Sequence, residues 1–173
     1  SQMRQQGISR VAVFYQDDGL GKTLAAELKK ASDDEKLPFV AEIKVDPKQP
    51  DFAAAAAATE KAQPQAVIVA TAGTTFTHYI KAVQGTAARP AYYGFSVASL
   101  DVINRELKDK ARGIILAQIM PSLRNTTIPV VAEYLGLLRA KSPNAQPSAS
   151  QFEGFVHARL LVEGLRRTGR NLT

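Results

Sequence analysis

The sequence predicts an α/β protein, with a five-stranded parallel Rossmann-like sheet, helices on both faces of that sheet, and two extra helices at the C-terminal end. Up to about residue 118, short apolar segments alternate with segments of helical periodicity, and the links between them are short. After Pro121 this alternation stops and no strand pattern follows. The chain has 173 residues, of which 45% are hydrophobic and 22% charged, which is the composition of an ordinary globular domain.

Five segments have the length and composition of strands. The first, RVAVFY at 10–15, is a nearly continuous apolar run, as expected for a strand buried on both faces of a sheet. The other four are predicted at 38–45, 65–72, 89–96 and 112–120. In a parallel sheet of this kind, ligands bind at the carboxyl ends of the strands, so the loops that follow the strands are the candidate site.

Four helices are predicted between these strands, at 20–36, 50–63, 74–85 and 99–110. Asp51 and Ser99 are the expected N-caps of the second and fourth helices, and Gly85 is the expected terminating residue of the third. The six alanines at 53–58 are strong helix formers and predict a tightly packed helix face.

The last third of the chain has a different pattern. A polar segment bounded by prolines, at 121–129, is followed by two long amphipathic helices at 129–142 and 151–169. These helices have large apolar faces but no strands of their own. We therefore expect them to cover this sheet, a second lobe or a second copy of the chain.

The stretch VAVFYQDDGLGKT, at 11–23, has the strand, turn and helix order of a phosphate-binding loop. That motif requires a glycine at position 16, which is Gln16 here, and Asp17 and Asp18 place two carboxylates where phosphate would bind. Repulsion between carboxylates and polyphosphate opposes nucleotide binding. We interpret Gly19 and Gly21 as residues that ease a tight turn from strand to helix.

A second enzymatic motif is GFSVA at 94–98, which resembles a nucleophile elbow with Ser96 as the nucleophile. A serine nucleophile needs a base, and both histidines, His78 and His157, lie inside predicted helices. Hydrolysis by Ser96 is therefore the less favoured alternative. Two histidines so far apart in sequence predict no metal site, and nothing in the sequence indicates a cofactor.

The charge of the chain bears on whether it binds nucleic acid, and its cysteine content bears on its location. The net charge of +6 and the pI of about 9.7 raise nucleic acid as a partner, but the basic residues are spread along the chain, apart from the cluster Arg166, Arg167 and Arg170. We predict no nucleic-acid binding. The absence of cysteine is compatible with a periplasmic location, and the first nine residues lack the apolar core of a signal peptide.

The residues at the predicted strand ends are small and neutral. They are Gly19, Gly21, Ala72, Gly73, Thr74, Thr75, Ser96 and Ser99. Backbone amides and hydroxyls of this kind hold a small polar solute without reacting with it. The sequence thus favours a binding protein over an enzyme.

The order of several blocks adds a family resemblance. The blocks are GISRVAVFYQDDGLGKTLAAELKKA, PDFAAAAAATEKAQPQAVIVATAGTTFTHYIKAV, GIILAQIMPS, IPVVAEYLGLLRAKSPNAQPS and FEGFVHARLLVEGLRRTGR. Together they resemble type I periplasmic substrate-binding proteins of ABC transporters, in the branched-chain amino acid (leucine/isoleucine/valine-binding) family. The resemblance implies a non-enzymatic periplasmic protein that closes two lobes around a solute and delivers it to an ABC permease. A ligand-sensing domain of a signalling protein is the alternative within the same fold.

The resemblance also implies that the chain is a fragment. Residues 1–118 correspond to the C-terminal lobe, 119–126 to a hinge-like crossing, and 127–173 to two helices that normally belong to the other lobe. Without that lobe, the apolar faces of the two helices are expected to pack on the sheet or in a homodimer.

Ligand-binding residues follow from the resemblance at three loops. Leu20 stands where relatives often place a tyrosine, Ala72, Gly73 and Thr74 line the cleft, and Phe95 and Ser96 stand where amino-acid binders place an acidic residue. A neutral Ser96 cannot form the charge-assisted hydrogen bond with a ligand ammonium group. An amide or an aromatic acid is therefore as plausible a ligand as an amino acid.

Overall fold

In the computed structural model, which describes residues 2–169, the chain divides into two units between Ala117 and Gln118. The first unit contains the sheet, and the second contains the two C-terminal helices. Each unit is described by itself.

The first unit contains the predicted five-stranded parallel sheet. Its strands are β1 (Val11–Gln16), β2 (Phe39–Val45), β3 (Ala66–Ala70), β4 (Ala91–Phe95) and β5 (Ile115–Ala117). All neighbouring pairs are parallel, in the spatial order β2-β1-β3-β4-β5. The residues from Val11 to Phe14 are all buried, as the continuous apolar run of β1 predicts.

Five helices accompany the sheet. They are α1 (Gln2–Gln5), α2 (Gly19–Asp34), α3 (Phe52–Ala62), α4 (Gly73–Gln84) and α5 (Leu100–Leu107). The helices α3, α4 and α5 pack on one face, which β1 lines with Ala12 and Phe14. The helix α2 lies on the opposite face, near Val11 and Ile68, so both faces carry helices as predicted.

The larger core lies under α3 and α4. The rings of Phe14 and Tyr79 stack with centroids 3.7 Å apart, and the Tyr79 hydroxyl lies 2.6 Å from the Thr59 hydroxyl. The alanine run contributes Ala55 and Ala56 to this core, since their small side chains let α3 approach the sheet closely.

All three predicted capping residues lie at helix ends, but only Asp51 makes a side-chain capping bond. Asp51 caps α3, because its carboxylate accepts a hydrogen bond from the Ala54 amide at 2.8 Å. Ser99 occupies the N-cap position of α5 with a φ of 58°, but its side chain makes no capping bond. Gly85 follows the last residue of α4, and its φ of −76° is one that any residue adopts.

Two element ends and one short helix differ most from the sequence prediction. The strand β5 pairs only with three residues of β4, Tyr93 to Phe95, so it is limited to Ile115–Ala117 although the apolar pattern runs to residue 120. The helix α5 ends at Leu107 because Lys108 adopts a φ of 51° and begins a 3₁₀ turn. The short helix α1 has no counterpart in the prediction.

The second unit consists of α6 (Pro129–Lys141) and α7 (Ala149–Thr168), close to the predicted helices. Its buried residues are Val131, Tyr134 and Phe152, and the rings of Tyr134 and Phe152 lie 5.3 Å apart. Arg170, in the basic cluster, lies outside the described residues. Within residues 2–169, no helix combines the length and apolarity that crossing a membrane requires.

Candidate functional site

The strand order places a topological switch point between β1 and β3. The chain leaves β1 toward α2 on one face of the sheet and leaves β3 toward α4 on the other face. A sheet of this order binds ligands at such a switch point, beyond the carboxyl ends of its strands. The loops after β1 and β3 therefore flank the candidate site, and the turn after β4 lies next to them.

The loop after β1 is held by close backbone packing and a cap. The Asp18 carboxylate accepts a hydrogen bond from the Gly21 amide at 2.8 Å and so caps α2. A Cβ on Gly21 would lie 1.9 Å from the Gln16 carbonyl oxygen, so only glycine fits there. A Cβ on Gly19 would meet nothing within 4 Å. Of the two glycines predicted to ease this turn, the packing thus requires Gly21 alone.

Asp17 is paired with two lysines at the same edge of the sheet. Its carboxylate oxygens lie 2.9 Å from the ammonium groups of Lys22 and Lys44. The hydrogen bond from Lys22, followed in size of effect by the one from Lys44, lowers the pKa of Asp17. The hydrogen bond to Asp17 in turn raises the pKa of Lys44. The lysine of the phosphate-loop-like triplet is therefore bonded to a carboxylate, which supports the sequence argument against nucleotide binding.

Apolar side chains are exposed along the same edge. Leu20 lies in the first turn of α2 and is 47% exposed. Val97 and Leu100 follow β4 and are 47% and 44% exposed. Leu20 is among the residues predicted from the sequence, and Val97 lies in the predicted loop after β4. Leu100 was not predicted, although its position shortly after a strand end could have indicated it. Water-exposed apolar groups at a strand-end edge are available to contact an apolar part of a ligand.

The loop after β3 presents backbone amides. Ala72 is the N-cap of α4 and offers no capping side chain, and Gly73 adopts a φ of +56°. The first-turn amides of α4 therefore lack a side-chain acceptor, and such amides suit an anionic or carbonyl oxygen. Thr74 is exposed beside them, and its carbonyl accepts a hydrogen bond from the Thr77 hydroxyl at 2.9 Å.

A buried hydroxyl precedes this loop. Thr71 directly follows β3 and is 1% exposed, and its Oγ1 atom has no hydrogen-bond partner among residues 2–169. A buried hydroxyl without a partner is unfavourable. Thr71 could not be predicted from the sequence, because its burial depends on the packing of α4.

The end of β4 carries the third group of candidate residues. Phe95 is the last residue of β4, and Ser96 begins a single 3₁₀ turn, Ser96–Ala98. A Cβ on Gly94 would lie 2.5 Å from the Phe76 ring, so glycine at this position lets β4 pack directly against α4.

No histidine within residues 2–169 is hydrogen-bonded to Ser96. His78 lies on α4 with its ring edge-on to Phe52, at a centroid distance of 5.6 Å. His157 lies on α7, in the other unit, and is exposed. A serine nucleophile requires a bonded base, so the geometry gives the hydrolase alternative no support. Residues 2–169 also hold no group of three potential metal ligands.

The six predicted site residues share one edge of the sheet. Leu20, Ala72, Gly73, Thr74, Phe95 and Ser96 lie at or just beyond the carboxyl ends of three adjacent strands, β1, β3 and β4. This edge offers hydroxyls, free amides and exposed apolar groups. It is chemically suited to holding a small solute by hydrogen bonds and apolar contact.

The second unit carries exposed apolar side chains of its own. Leu160, Leu161, Val162 and Leu165 on α7 are between 46% and 66% exposed. A groove of about 760 Å³ runs along α7 beside Val130 and Phe155. An ion pair joins Arg159 to Glu133 and so ties α7 to α6.

The chain is similar to a known protein family and to known structures. A family model described as "Periplasmic binding protein" matches residues 1–173. A comparison with curated protein sequences found no match.

Three solved structures show the same fold. A substrate-binding periplasmic protein from Ralstonia solanacearum has a TM-score of 0.87 and 23% identity, over 99% of this chain and 49% of its own. A possible leucine/isoleucine/valine-binding protein from Rhodopirellula baltica has a TM-score of 0.75 and 21% identity, over 94% and 46%. An amino acid ABC transporter substrate-binding protein from Pseudomonas fluorescens has a TM-score of 0.71 and 15% identity, over 86% and 40%. The chain therefore spans about half the length, or less, of these structures.

Proposed function

The chain belongs to the periplasmic binding protein family, and from this premise we propose that it is the C-terminal lobe of an extracytoplasmic receptor for a small solute. The observation that carries the proposal is the shared position of the six candidate residues at the carboxyl ends of β1, β3 and β4. Solute binding without catalysis is the function that suits hydroxyls, free amides and apolar groups with no bonded base.

The proposed mechanism is closure of two lobes around the ligand. This chain supplies one wall of the cleft, formed by the loops after β1, β3 and β4. The missing half of the protein supplies the other wall, with 119–126 as a hinge crossing and 127–173 as helices that pack on the other lobe. Because the ligand contacts both walls only in the closed state, binding shifts the equilibrium toward closure. Periplasmic location and delivery to an ABC permease are part of this proposal.

The ligand class is proposed from the charges at the edge. Asp17 is already bonded to two lysines, and Asp18 caps α2. Phe95 and Ser96 bring no carboxylate to the end of β4. The ligand should therefore need no acidic partner from this lobe. We propose an amide, an aromatic acid or an amino acid whose ammonium group is bound by another part of the protein.

Calorimetric titration of the full-length protein tests the proposal. The panel consists of the branched-chain amino acids, their amides and simple aromatic acids. We expect one class to bind, and Thr74→Ala or Ser96→Ala to weaken that binding by roughly 2- to 13-fold through loss of one hydrogen bond. Ser9→Ala, at the amino end of β1 on the opposite edge, is the control and should bind as the parent does.

Failure of these variants to change affinity would place the ligand elsewhere. A solute that binds with the same affinity to the Thr74→Ala, Ser96→Ala and Leu20→Ala proteins would contradict the proposed wall. Turnover of the bound solute would contradict a binding role.

We further propose that the exposed apolar residues of α7 cover another surface. In the full-length protein that surface would be the second lobe; in the 173-residue chain it would be a second copy, giving a homodimer. Light scattering of the 173-residue chain tests this. We expect a dimer that Leu161→Glu converts to monomer, whereas a monomer at high concentration would contradict it.

A further inference from the structure

The strand β2 forms one edge of the sheet and is the longest strand in the part of the chain that the structure describes. It runs for seven residues, Phe39–Val45, and contains no proline. The other edge is β5, which has only three residues. Proteins commonly prevent pairing between sheets by keeping edge strands short or by placing proline in them. The strand β5 is short in this way, whereas β2 is neither short nor interrupted.

The main-chain groups of alternate residues in β2 point away from β1. The Val45 carbonyl accepts a hydrogen bond from the Asp17 amide at 2.8 Å, so the main-chain groups of Val45 face β1. Those of Ile43, two places earlier, face the same way. Glu42 and Lys44 therefore direct their N–H and C=O groups outward. In the described part of the chain, no strand pairs with β2 on that side, and such unpaired groups are a template for another strand.

The exposed side chains of β2 are complementary to those of a second β2. Val40, Glu42 and Lys44 lie on the face of the sheet opposite α3, and all three are exposed. When two copies pair antiparallel about a two-fold axis at Ile43, Glu42 of each copy lies opposite Lys44 of the other, which forms two ion pairs. An axis at Glu42 or at Lys44 would instead place identical charges opposite each other. The charges therefore favour one register.

The same register suits the main chain. In an antiparallel pair, two residues that exchange both of their main-chain hydrogen bonds lie directly opposite each other. Glu42 and Lys44 both face outward, so Glu42 of one copy and Lys44 of the other meet this condition, and the two-fold axis repeats the pair. The Lys44 ammonium group has three donors, so its bond to Asp17 at 2.9 Å leaves donors for Glu42 of the other copy.

The helix α3 leaves room beside this edge. Only Ala55 and Ala56 of the alanine run are buried, and Ala54 and Ala58 are exposed. These two exposed alanines line a cavity of about 410 Å³ together with residues 42–46 of β2 and the loop after it. In the two-fold pairing, α3 of each copy lies on the same face of the joined sheet, on either side of the join. Small side chains on the outer side of α3 let the two helices approach closely.

We propose that β2 is an interaction surface for a second copy of the protein, paired antiparallel about Ile43 so that two five-stranded sheets become one. The two-fold contact uses the β2 edge of both copies, so the assembly closes at a dimer. The carboxyl edges of the two sheets then point in opposite directions and the candidate solute site stays open, so the inference does not rest on the proposed function.

The contact is expected to be weak. Four main-chain hydrogen bonds and two exposed ion pairs should give a dissociation constant on the order of 0.1 mM. The contact is separate from the one proposed for α7 and forms only at higher concentration. The full-length protein, in which the second lobe is proposed to cover α7, is therefore the form to test.

Sedimentation equilibrium of the full-length protein, from about 10 µM to about 1 mM, tests the proposal. We expect reversible dimerisation. Glu42→Lys or Lys44→Glu should weaken it at least about tenfold, because two ion pairs become two repulsions. An equimolar mixture of the two variants should associate as strongly as the parent, because the mixed dimer places the lysines of one copy opposite the glutamates of the other.

Two charge reversals outside the edge are the controls. Glu27→Lys on α2 changes an exposed residue and alters the net charge as Glu42→Lys does. Lys22→Glu removes the other lysine that is bonded to Asp17. Both variants should dimerise as the parent does.

A pair of substitutions on α3 tests the helix contact. Ala58→Gln should weaken dimerisation at least about threefold, because a longer side chain separates the two helices. Ala57→Gln changes an exposed alanine that does not line the cavity and should leave dimerisation unchanged. Circular dichroism of each variant confirms that it is folded.

Hydrogen exchange locates the contact. As the concentration rises, the Glu42 and Lys44 amides should gain protection, whereas the Ile43 amide, which faces β1, should not change. Three results would overturn the proposal. They are a monomer at about 1 mM, a mixture of the two charge variants that associates no better than either alone, and protection of the Glu42 and Lys44 amides that does not depend on concentration. The last result would mean that another part of the same chain covers β2.

Discussion

The two units of the chain differ in how their apolar surface is covered. The first unit buries large side chains such as Phe14, Phe76 and Tyr79 between a sheet and its helices. The second unit buries only Val131, Tyr134 and Phe152 among its described residues and exposes four apolar residues of α7. The first unit therefore has a core sufficient for a domain, whereas the second unit buries few large side chains of its own.

The largest expected effect comes from separating the two units. Residues 1–117 should fold alone with a cooperative unfolding transition, because the sheet and the larger core lie within them. Residues 118–173 alone should lose most of their helical circular dichroism, since two helices with a three-residue core are marginal. A cooperatively folded second unit at low concentration would contradict the contrast.

A matched pair of large-to-small substitutions sharpens the comparison. Phe76→Ala removes a ring buried between α4 and β4, and should lower the free energy of unfolding by about 3–5 kcal/mol. Phe152→Ala should melt α6 and α7 while leaving the transition of the first unit in place. Urea unfolding followed by circular dichroism and by hydrogen exchange measures both. Equal loss of stability in both units after either substitution would mean that they fold as one body.

A second pair of substitutions tests which glycine the loop after β1 requires. Gly21→Ala places a methyl group against the Gln16 carbonyl and should cost about 2 kcal/mol or more, because backbone must move. Gly19→Ala has open space and should be neutral or stabilising by up to about 1 kcal/mol. Thermal unfolding of the two variants checks this. Equal destabilisation would show that the turn, rather than the contact with Gln16, requires glycine.

The smallest expected effect is on the acid dependence of stability, to which Asp17 contributes. Its pKa lies below the ordinary value of 3.8 because Lys22 and Lys44 donate hydrogen bonds to it. The carboxylate therefore contributes stability that is fully present above pH 3.8 and is lost as the pH falls through the lowered pKa. Asp17→Asn should remove this part of the acid dependence. Because both lysines are exposed and Asp17 is partly exposed, added salt should reduce the difference. Unfolding midpoints from about pH 5 down to about pH 2 measure it.

The strands and main helices could be predicted from the sequence because their signals are local. Val11 to Phe14 form an apolar run without polar interruption, and Asp51 caps a helix that contains six consecutive alanines. The end of β5 could not be predicted, because Ile119 continues the apolar pattern yet is 69% exposed. How far a strand pairs depends on the length of its partner β4.

The position of the candidate site could be predicted from the sequence, but the exposure and hydrogen bonding of its side chains could not. Parallel strands bring their carboxyl ends to one edge, so Leu20, Thr74 and Ser96 could be placed there from the order of elements alone. The exposure of Val97 and the unpartnered hydroxyl of Thr71 arise from packing between elements. Single-sequence patterns do not report such contacts.

The proposed function is tested most directly by one calorimetric titration on two proteins. The full-length protein and the 173-residue chain are titrated with the solute that the panel identifies. If the ligand is held between two walls, the full-length protein binds it and the shorter chain binds it at least about 100-fold more weakly, since about half of the contacts are missing. Equal affinity for the two proteins would contradict binding by closure of two lobes.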